Sequence, residues 1–167
     1  MPVSPGGTYY DNDELDSLFK AVGFIVVQWG QAEQSLDLAI AILYHELGGK
    51  ACSKRLPKML GPKLEFLNKC LSQIPALDPY RDEGATLVAN FRKLSDRRHD
   101  IIHGAIASVS AKDGAFIFAK LDLKNDIHVV REFRFDAADF PALTKQLIDL
   151  GSQSTTFARR LWEVVPK

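Results

Sequence analysis

Apolar residues recur every three or four positions along most of the chain, which is the period of an α-helix with one buried face. The longest such run comprises Leu15, Leu18, Val22, Ile25, Trp29, Leu36, Ile40, Leu43 and Leu47. It predicts a first helix of about 50 Å, from its rise per residue, which begins near Asn12 and is terminated by Gly48-Gly49. That length suggests a helix that spans a dimer or bends near Gly23 or Gly30.

Three shorter runs of the same period predict three further helices. The second begins near Gly61-Pro62 and is closed by Pro75. The third extends from about Pro79 to His103, with Asp78 as its N-cap and Gly104 after its end. The last follows Asp139 as its cap and has Pro141 in its first turn. The apolar positions of the second and last helices are Leu60, Leu64, Leu67, Leu71, Ile74, Leu143, Leu147, Leu150, Phe157, Leu161 and Val164.

The pattern changes to partial alternation between the third and fourth helices. Three segments there are rich in Phe, Ile and Val: Ala105 to Ser110, Ala115 to Leu123 and Ile127 to Phe135. Two turn sequences separate them, Lys112-Asp113-Gly114 and Lys124-Asn125-Asp126. We therefore expect a mainly α fold: a bundle of four helices with a small three-stranded antiparallel β insert at about residues 105–135.

Length and composition favour one soluble domain. The chain has 167 residues, 46% of them hydrophobic and 25% charged, which suits a single domain over residues 12–165 after a flexible tail at 1–11. The tail lacks the basic start and apolar core of a signal peptide. The most apolar segment, residues 21–44, contains too many glutamines and acids for a membrane span. Cys52 and Cys70 make no disulfide framework, so a cytoplasmic location is expected.

One cation interrupts the apolar stripe of the third helix. The stripe consists of Leu87, Phe91, Leu94, Ile101 and Ala105, and Arg98 falls near its middle. A guanidinium cannot lose its charge, so burial requires a partner. Glu33 interrupts the stripe of the first helix in the same way. Either these two residues form an interior ion pair while the histidines face solvent, or the face of Arg98 is a cleft or a subunit interface.

The stretch Arg98-His99-Asp100-Ile101-Ile102-His103 resembles the R-polar-x-x-x-H motif of the HEPN superfamily, small all-α domains that include metal-independent ribonucleases. The motif lies late in a helix, after two helices and before a final one, as it does in that family. The similarity in helix order covers about residues 12–164. The β insert after the motif departs from a minimal HEPN bundle. The resemblance implies a dimer whose two copies build one cleft.

RNA cleavage without a metal requires a base for the ribose 2′-hydroxyl, an acid for the leaving oxygen and a cation beside the phosphorane. By resemblance His103 is the general base or acid, Arg98 the phosphate clamp and His99 the polar auxiliary. Glu33 and Asp100 are auxiliary residues, Glu33 orienting Arg98 or a histidine. Positions five apart point about 140° apart on a helix, so Arg98 and His103 share one face only with distortion. A two-fold cleft between subunits would remove this difficulty.

Other chemistry receives less support from the sequence. His99 and His103 have the spacing of a zinc pair, but no third ligand is near in sequence, so no metal is predicted. No Gly-Lys-Ser/Thr loop or dinucleotide fingerprint is present, so no cofactor is predicted. Four basic residues form a weaker RNA-binding candidate or merely a solvated surface: Lys54, Arg55, Lys58 and Arg97. The phenylalanines of the insert, Phe116, Phe118, Phe133 and Phe135, stack on bases or pack against the helices.

The sequence therefore predicts a metal-independent endoribonuclease of HEPN type that acts as a homodimer on RNA. A toxin with an antitoxin protein as partner, or a stress or defence effector, would fit that activity. The first alternative is a non-catalytic HEPN-like module that binds a nucleotide, RNA or a protein partner. The second is a purely structural helical dimer. Equal numbers of basic and acidic residues, 21 each, argue against a protein that coats nucleic acid by bulk charge.

Overall fold

A computed structural model of the chain describes residues 12–110, 115–124 and 127–166. Four long helices and three strands follow in the order α1 (Asn12–His45), α2 (Leu60–Gln73), α3 (Arg81–His103), β1 (Ala105–Val109), β2 (Phe116–Lys124), β3 (Ile127–Phe135) and α4 (Phe140–Glu163). The expected fold class, a mainly α bundle with a three-stranded antiparallel insert between the third and fourth helices, is confirmed. Residues 1–11 and both predicted turns, at 112–114 and 125–126, involve positions outside the described residues.

The helix ends follow the predicted signals with two local differences. Gly48 adopts a left-handed φ of 85° just after α1, a conformation that glycine accepts without a steric penalty. The third helix begins at Arg81 because a 3₁₀ turn occupies Pro75–Tyr80. Asp78 is therefore not its N-cap, and its carboxylate accepts a hydrogen bond from Arg81 instead. Asp139 does occupy the N-cap position of α4, although its side chain forms no capping hydrogen bond.

Two helices, α1 and α4, run side by side in the same direction. Their small polar residues bring them close: the hydroxyls of Ser35 and Thr155 are 2.8 Å apart. One turn away, the buried Ser154 hydroxyl donates to the carbonyl oxygen of Ala32 at 3.0 Å. The helix α3 runs opposite to α4, since Arg160 near the end of α4 contacts Glu83 near the start of α3.

The core fills the space between the helices with the apolar stripes that the sequence predicted. Leu36, Leu43, Phe91, Leu147 and Phe157 are fully buried. Trp29 and Phe91 meet edge to face, with ring centroids 5.6 Å apart, an arrangement that adds about 0.5–1.5 kcal/mol to the burial of the rings. Both cysteines are free and buried. None of the described helices combines the length and the apolar character needed to cross a bilayer.

The sheet covers one end of the bundle through its phenylalanines. Its order is β1-β2-β3, and the antiparallel register places Phe116 opposite Phe135 and Phe118 opposite Phe133. The stacked rings of Phe118 and Phe133 have centroids 5.2 Å apart, and Phe135 meets Phe140 of α4 at 4.5 Å. Three of the four rings are almost fully buried. These rings pack against the rest of the domain, and they are not a free platform for bases.

Candidate functional site

The motif residues lie at the C-terminal end of α3, where the chain turns directly into β1. The turn requires Gly104 for lack of space: a Cβ there would lie 2.7 Å from the Asp100 carbonyl oxygen and 3.0 Å from the Phe133 ring. The helix and the sheet therefore meet at the motif. As a result, side chains of β2 and β3 lie beside the last two turns of α3.

The two histidines of the motif form a pair. His99 and His103 project from the same exposed face of α3, and their ring centroids are 4.6 Å apart. Although His99 is exposed, its partial desolvation by the protein lowers its pKa below the ordinary value, and the positive charges of Lys120 and His103 lower the pKa further. A histidine with a lowered pKa is neutral near pH 7 and is able to accept a proton.

Arg98 points away from that pair and toward α1, as the 140° separation predicted. Its guanidinium carbon lies 5.6 Å from the centroid of the Trp29 ring, a cation–π contact. The side chain is half-buried, and its Nε is buried without a hydrogen-bond partner. Within the described residues no carboxylate pairs with this guanidinium. Arg98 is therefore held by an aromatic face while part of its hydrogen-bonding capacity remains unused.

The direct ion pair between Arg98 and Glu33, one of the two alternatives that the sequence left open, is absent among the described residues. Glu33 instead accepts a hydrogen bond from Trp29 Nε1 at 2.9 Å and lies 3.6 Å from Lys63 Nζ. Lys63, buried on α2, also pairs with Asp37. The physical reason is that α2 supplies its own cation to this part of α1. Glu33 thus supports Arg98 only through Trp29, and it contacts neither histidine among its hydrogen bonds and ion pairs.

Asp100 connects the motif helix to the β insert. Its carboxylate accepts hydrogen bonds from Arg131 at 2.6 Å and from Lys120 at 3.2 Å. Burial alone would raise the pKa of Asp100, but the hydrogen bonds and charges of these two cations outweigh it and lower the pKa. Asp122 completes the cluster by pairing with both cations.

The sequence interpretation missed Lys120, Asp122 and Arg131. A signal was present, because a hairpin that pairs Phe118 with Phe133 must also place Lys120 opposite Arg131, on the face of the sheet that the phenylalanines bury. Their proximity to Asp100 depended on how the sheet docks on α3. We name Asp100, Lys120, Asp122 and Arg131 the insert cluster.

The weaker RNA-binding candidates are not assembled into one surface. Lys54, Arg55 and Lys58 are exposed in the connection before α2. Lys58 lines a cleft beside Asp37 of α1. Arg97, on α3, lies 3.9 Å from Asp139 at the start of α4. These cations therefore lie next to different elements, and only Arg97 is close to the motif.

The histidine pair occupies open surface. Five clefts formed by described residues contain none of Arg98, His99 and His103 in their walls. Among the described residues no three His, Cys, Asp or Glu side chains are grouped as a metal site requires. What the motif offers chemically is an exposed pair of imidazoles with cations nearby on α3, β2 and β3.

No protein-family model, curated protein or solved structure matches the chain.

Proposed function

We propose that the protein is a metal-independent endoribonuclease of HEPN type that acts at the exposed end of α3. The observation that carries the proposal is the 4.6 Å separation of the His99 and His103 rings. Two imidazoles this close are able to act on the same phosphodiester, one as the acceptor of a proton and the other as the donor. That is the combination that general base and general acid catalysis require.

The lowered pKa of His99 supports its assignment as the base. In the proposed reaction His99 takes the proton of the ribose 2′-hydroxyl, whose oxygen forms a bond to phosphorus. The bond from phosphorus to the 5′-oxygen breaks, and His103 gives that oxygen a proton. The products are a 2′,3′-cyclic phosphate and a 5′-hydroxyl, and no water or metal enters this step.

Arg98 is proposed as the clamp for a phosphate of the bound RNA. Because its side chain points away from the histidine pair of its own chain, the phosphate that it holds is a neighbour of the one that is cleaved. The absence of a paired carboxylate within the described chain supports the assignment, because the charge of the guanidinium then remains available to phosphate oxygens. Trp29 limits its movement by holding one face of the guanidinium. Arg97 is placed on the same turn and is proposed to contact a neighbouring phosphate.

The proposed cellular setting follows from the same activity. A ribonuclease of this kind suits a toxin or a stress or defence effector, with RNA as substrate and an antitoxin protein as partner. A homodimer is part of the proposal. A reducing cytoplasm suits the free thiols of Cys52 and Cys70.

The test is cleavage of single-stranded and structured RNA by the purified protein in a chelator. We expect 2′,3′-cyclic phosphate ends, and we expect His99→Ala and His103→Ala each to lower the rate by about 10²–10⁴-fold, the usual worth of acid or base catalysis. His128→Ala is the matched control, because His128 is an exposed histidine on β3. Equal cleavage by all four proteins would identify a contaminant and end the proposal.

A second function is favoured by the contact between Arg98 and Trp29. A guanidinium that stacks on an indole is partly withdrawn from solvent, which suits a module that binds RNA or a nucleotide without cleaving it. Fluorescence anisotropy of a labelled RNA distinguishes the two functions. Binding that Arg98→Ala weakens, together with intact RNA after long incubation, would establish the binding module and exclude the enzyme.

A further inference from the structure

The outer flank of the α1–α4 pair is a surface that the proposed chemistry does not use. Two clefts lie end to end along it, with volumes of about 560 and 410 Å³. Ser35 and Thr155, which contact each other at 2.8 Å, line both clefts and mark the boundary between them. We name this flank the α1–α4 seam.

The residues of α1 along the seam alternate in spacings of three and four. They are Gln28, Gln31, Ser35, Leu38 and Ile42, and their counterparts on α4 include Ile148, Thr155 and Trp162, seven residues apart. A 3.5-residue period keeps side chains in line along a helix that packs against other helices in a left-handed bundle. Other residues of α1 and α4 form the core of the domain. This second line faces outward, except for Ile42, which is buried.

Large apolar side chains are exposed along the seam. Trp162 is 60% exposed, Leu38 56% and Ile148 45%. The cleft beside Leu38 and Trp162 is also lined by Ile42 and Ala158, with Ser35, Thr155 and Arg159 as its polar members. Exposed apolar groups that share one elongated surface mark a binding surface more often than scattered ones do.

The charge of the α1–α4 seam restricts the kind of partner that can bind there. Between residues 21 and 42 the only charged residues are Glu33 and Asp37, and both face Lys63 on the other flank of α1. On α4 the charges beside the seam neutralise each other in pairs, Lys145 with Asp149 and Arg159 with Glu163. A surface without net charge is not repelled by an identical surface, and it offers nothing to nucleic acid or to a charged peptide.

Shape identifies the partner further. Trp162 and Ile148 lie seven residues on either side of Thr155, or about 10 Å each way along α4. A two-fold axis through the contact of Ser35 with Thr155 would therefore place Trp162 of one copy over Ile148 of the other. The same operation would place Leu38 over the cleft lined by Gln31 and Ser152. The exposed apolar side chains of Trp162 and Ile148 would thus cover each other across the axis.

We infer that the α1–α4 seam is the surface on which a second copy of this chain docks, antiparallel, to form a homodimer with a four-helix interface. Isologous pairing of this kind is the commonest form of protein dimer. The inference does not rest on the proposed RNA chemistry, because the seam and the residues that support Arg98 occupy opposite flanks of α1.

Sedimentation velocity over a concentration series tests the inference. We expect a dimer, and we expect Trp162→Glu and Leu38→Glu each to raise its dissociation constant by at least about tenfold, because each places a carboxylate in an apolar contact. Leu123→Glu is the control, since Leu123 is equally exposed, at 65%, on the β insert. A monomeric protein, or a dimer lost only with Leu123→Glu, would overturn the inference. Circular dichroism verifies that each variant is folded.

Cross-linking provides a second test that does not weaken the interface. A residue on a two-fold axis meets its own copy, so Thr155→Cys should be joined rapidly by a short bismaleimide. Lys145→Cys lies ten residues from Thr155, which separates the two copies of that cysteine by about 30 Å, so it should not react in this way. The buried Cys52 and Cys70 give little background. Joining of Lys145→Cys but not Thr155→Cys would also overturn the inference.

Discussion

At the level of single residues, the side chains of the motif lie on two different faces of α3. His99 and His103 stand together in solvent, while Arg98 turns inward to the ring of Trp29. An ion pair would have neutralised Arg98, but an aromatic face attracts the cation without using its hydrogen-bond donors. This difference leaves a guanidinium that an aromatic ring holds and that no carboxylate among the described residues neutralises.

We expect the pKa of His99 to be lowered in the folded protein. NMR titration should place it below the ordinary value of 6.5, and His103→Ala should raise it by removing a neighbouring positive charge. Because the folded-state pKa is the lower one, the unfolded chain binds the proton more readily. The contribution of His99 to stability is therefore lost as the pH falls below 6.5. His128→Ala should leave the titration unchanged, and an unshifted His99 in the wild type would contradict the prediction.

We expect the substitution Gly104→Ala to destabilise the protein. The added Cβ would lie 2.7 Å from the backbone oxygen of Asp100, which cannot move without opening the last turn of α3. We expect the free energy of unfolding to fall by about 1–3 kcal/mol, the usual result of crowding in a packed site. Urea denaturation of the wild type and the variant measures this change in the free energy of unfolding.

Gly30→Ala is the matched control for that substitution. Gly30 lies within α1, and nothing surrounds its Cβ position within 4 Å. Alanine there should stabilise the protein by about 0.5–1 kcal/mol, because it loses less backbone entropy than glycine in a helix. Equal effects of the two substitutions would show that the crowding at Gly104 is relieved at little cost.

At the scale of elements, the insert cluster determines how the sheet is attached to the bundle. Phe116, Phe118 and Phe135 are buried, and burial of apolar surface is non-directional. The Asp100 carboxylate adds directional contacts, because it receives one cation from β2 and one from β3. A partly buried carboxylate with two charged donors is expected to add more than an exposed ion pair.

We expect the substitution Asp100→Asn to weaken the attachment of the sheet to α3. Loss of both charge-assisted contacts should lower the free energy of unfolding at neutral pH by about 1–2 kcal/mol and speed amide exchange in β2 and β3. The pKa of Asp100 is lowered in the folded state, so its contribution is present above its ordinary pKa and is lost as the pH falls below 3.8. The variant should therefore lose less stability on acidification than the wild type does.

The matched control at this scale is Asp149→Asn. Asp149 pairs with Lys145 on the surface of α4, where both side chains are at least half exposed, and such pairs contribute little. An effect at Asp149 as large as that at Asp100 would mean that the insert cluster has no special role.

At the scale of the whole molecule, two proposed surfaces lie on opposite flanks of α1. One flank carries Glu33, which supports Trp29 and through it Arg98. The other carries the α1–α4 seam. A dimer built on the seam leaves both motifs outside the interface, so each copy would cleave RNA independently. The shared cleft that the family resemblance implies would require a different interface.

The whole-molecule prediction separates these two arrangements. If Trp162→Glu yields a folded monomer, RNA cleavage per chain should remain within about twofold of the wild-type rate, because the seam residue is remote from the motif. Leu123→Glu again serves as the control. Loss of cleavage in proportion to loss of dimer would show that the active site is shared between subunits.

Periodicity in the sequence was sufficient to predict the helices and strands and their order along the chain. Each helix shows its buried stripe, and the alternation in the insert marks three strands, because burial of one face is a local property of consecutive residues. The predicted start of α3, about Pro79, was two residues before the observed start at Arg81. Asp78-Pro79 also suits a 3₁₀ turn, and only the packing of Leu77, which is fully buried, distinguishes the two.

The partners of charged residues depended on the tertiary structure. The sequence showed that Arg98 and Glu33 each interrupt an apolar stripe, and it left open whether they pair or whether Arg98 lies in a cleft or an interface. The fold brings Lys63 to Glu33, Trp29 to Arg98, and Lys120 and Arg131 to Asp100. Such contacts join residues that are distant in the chain, and their geometry depends on helix rotation and sheet docking, which no local pattern contains.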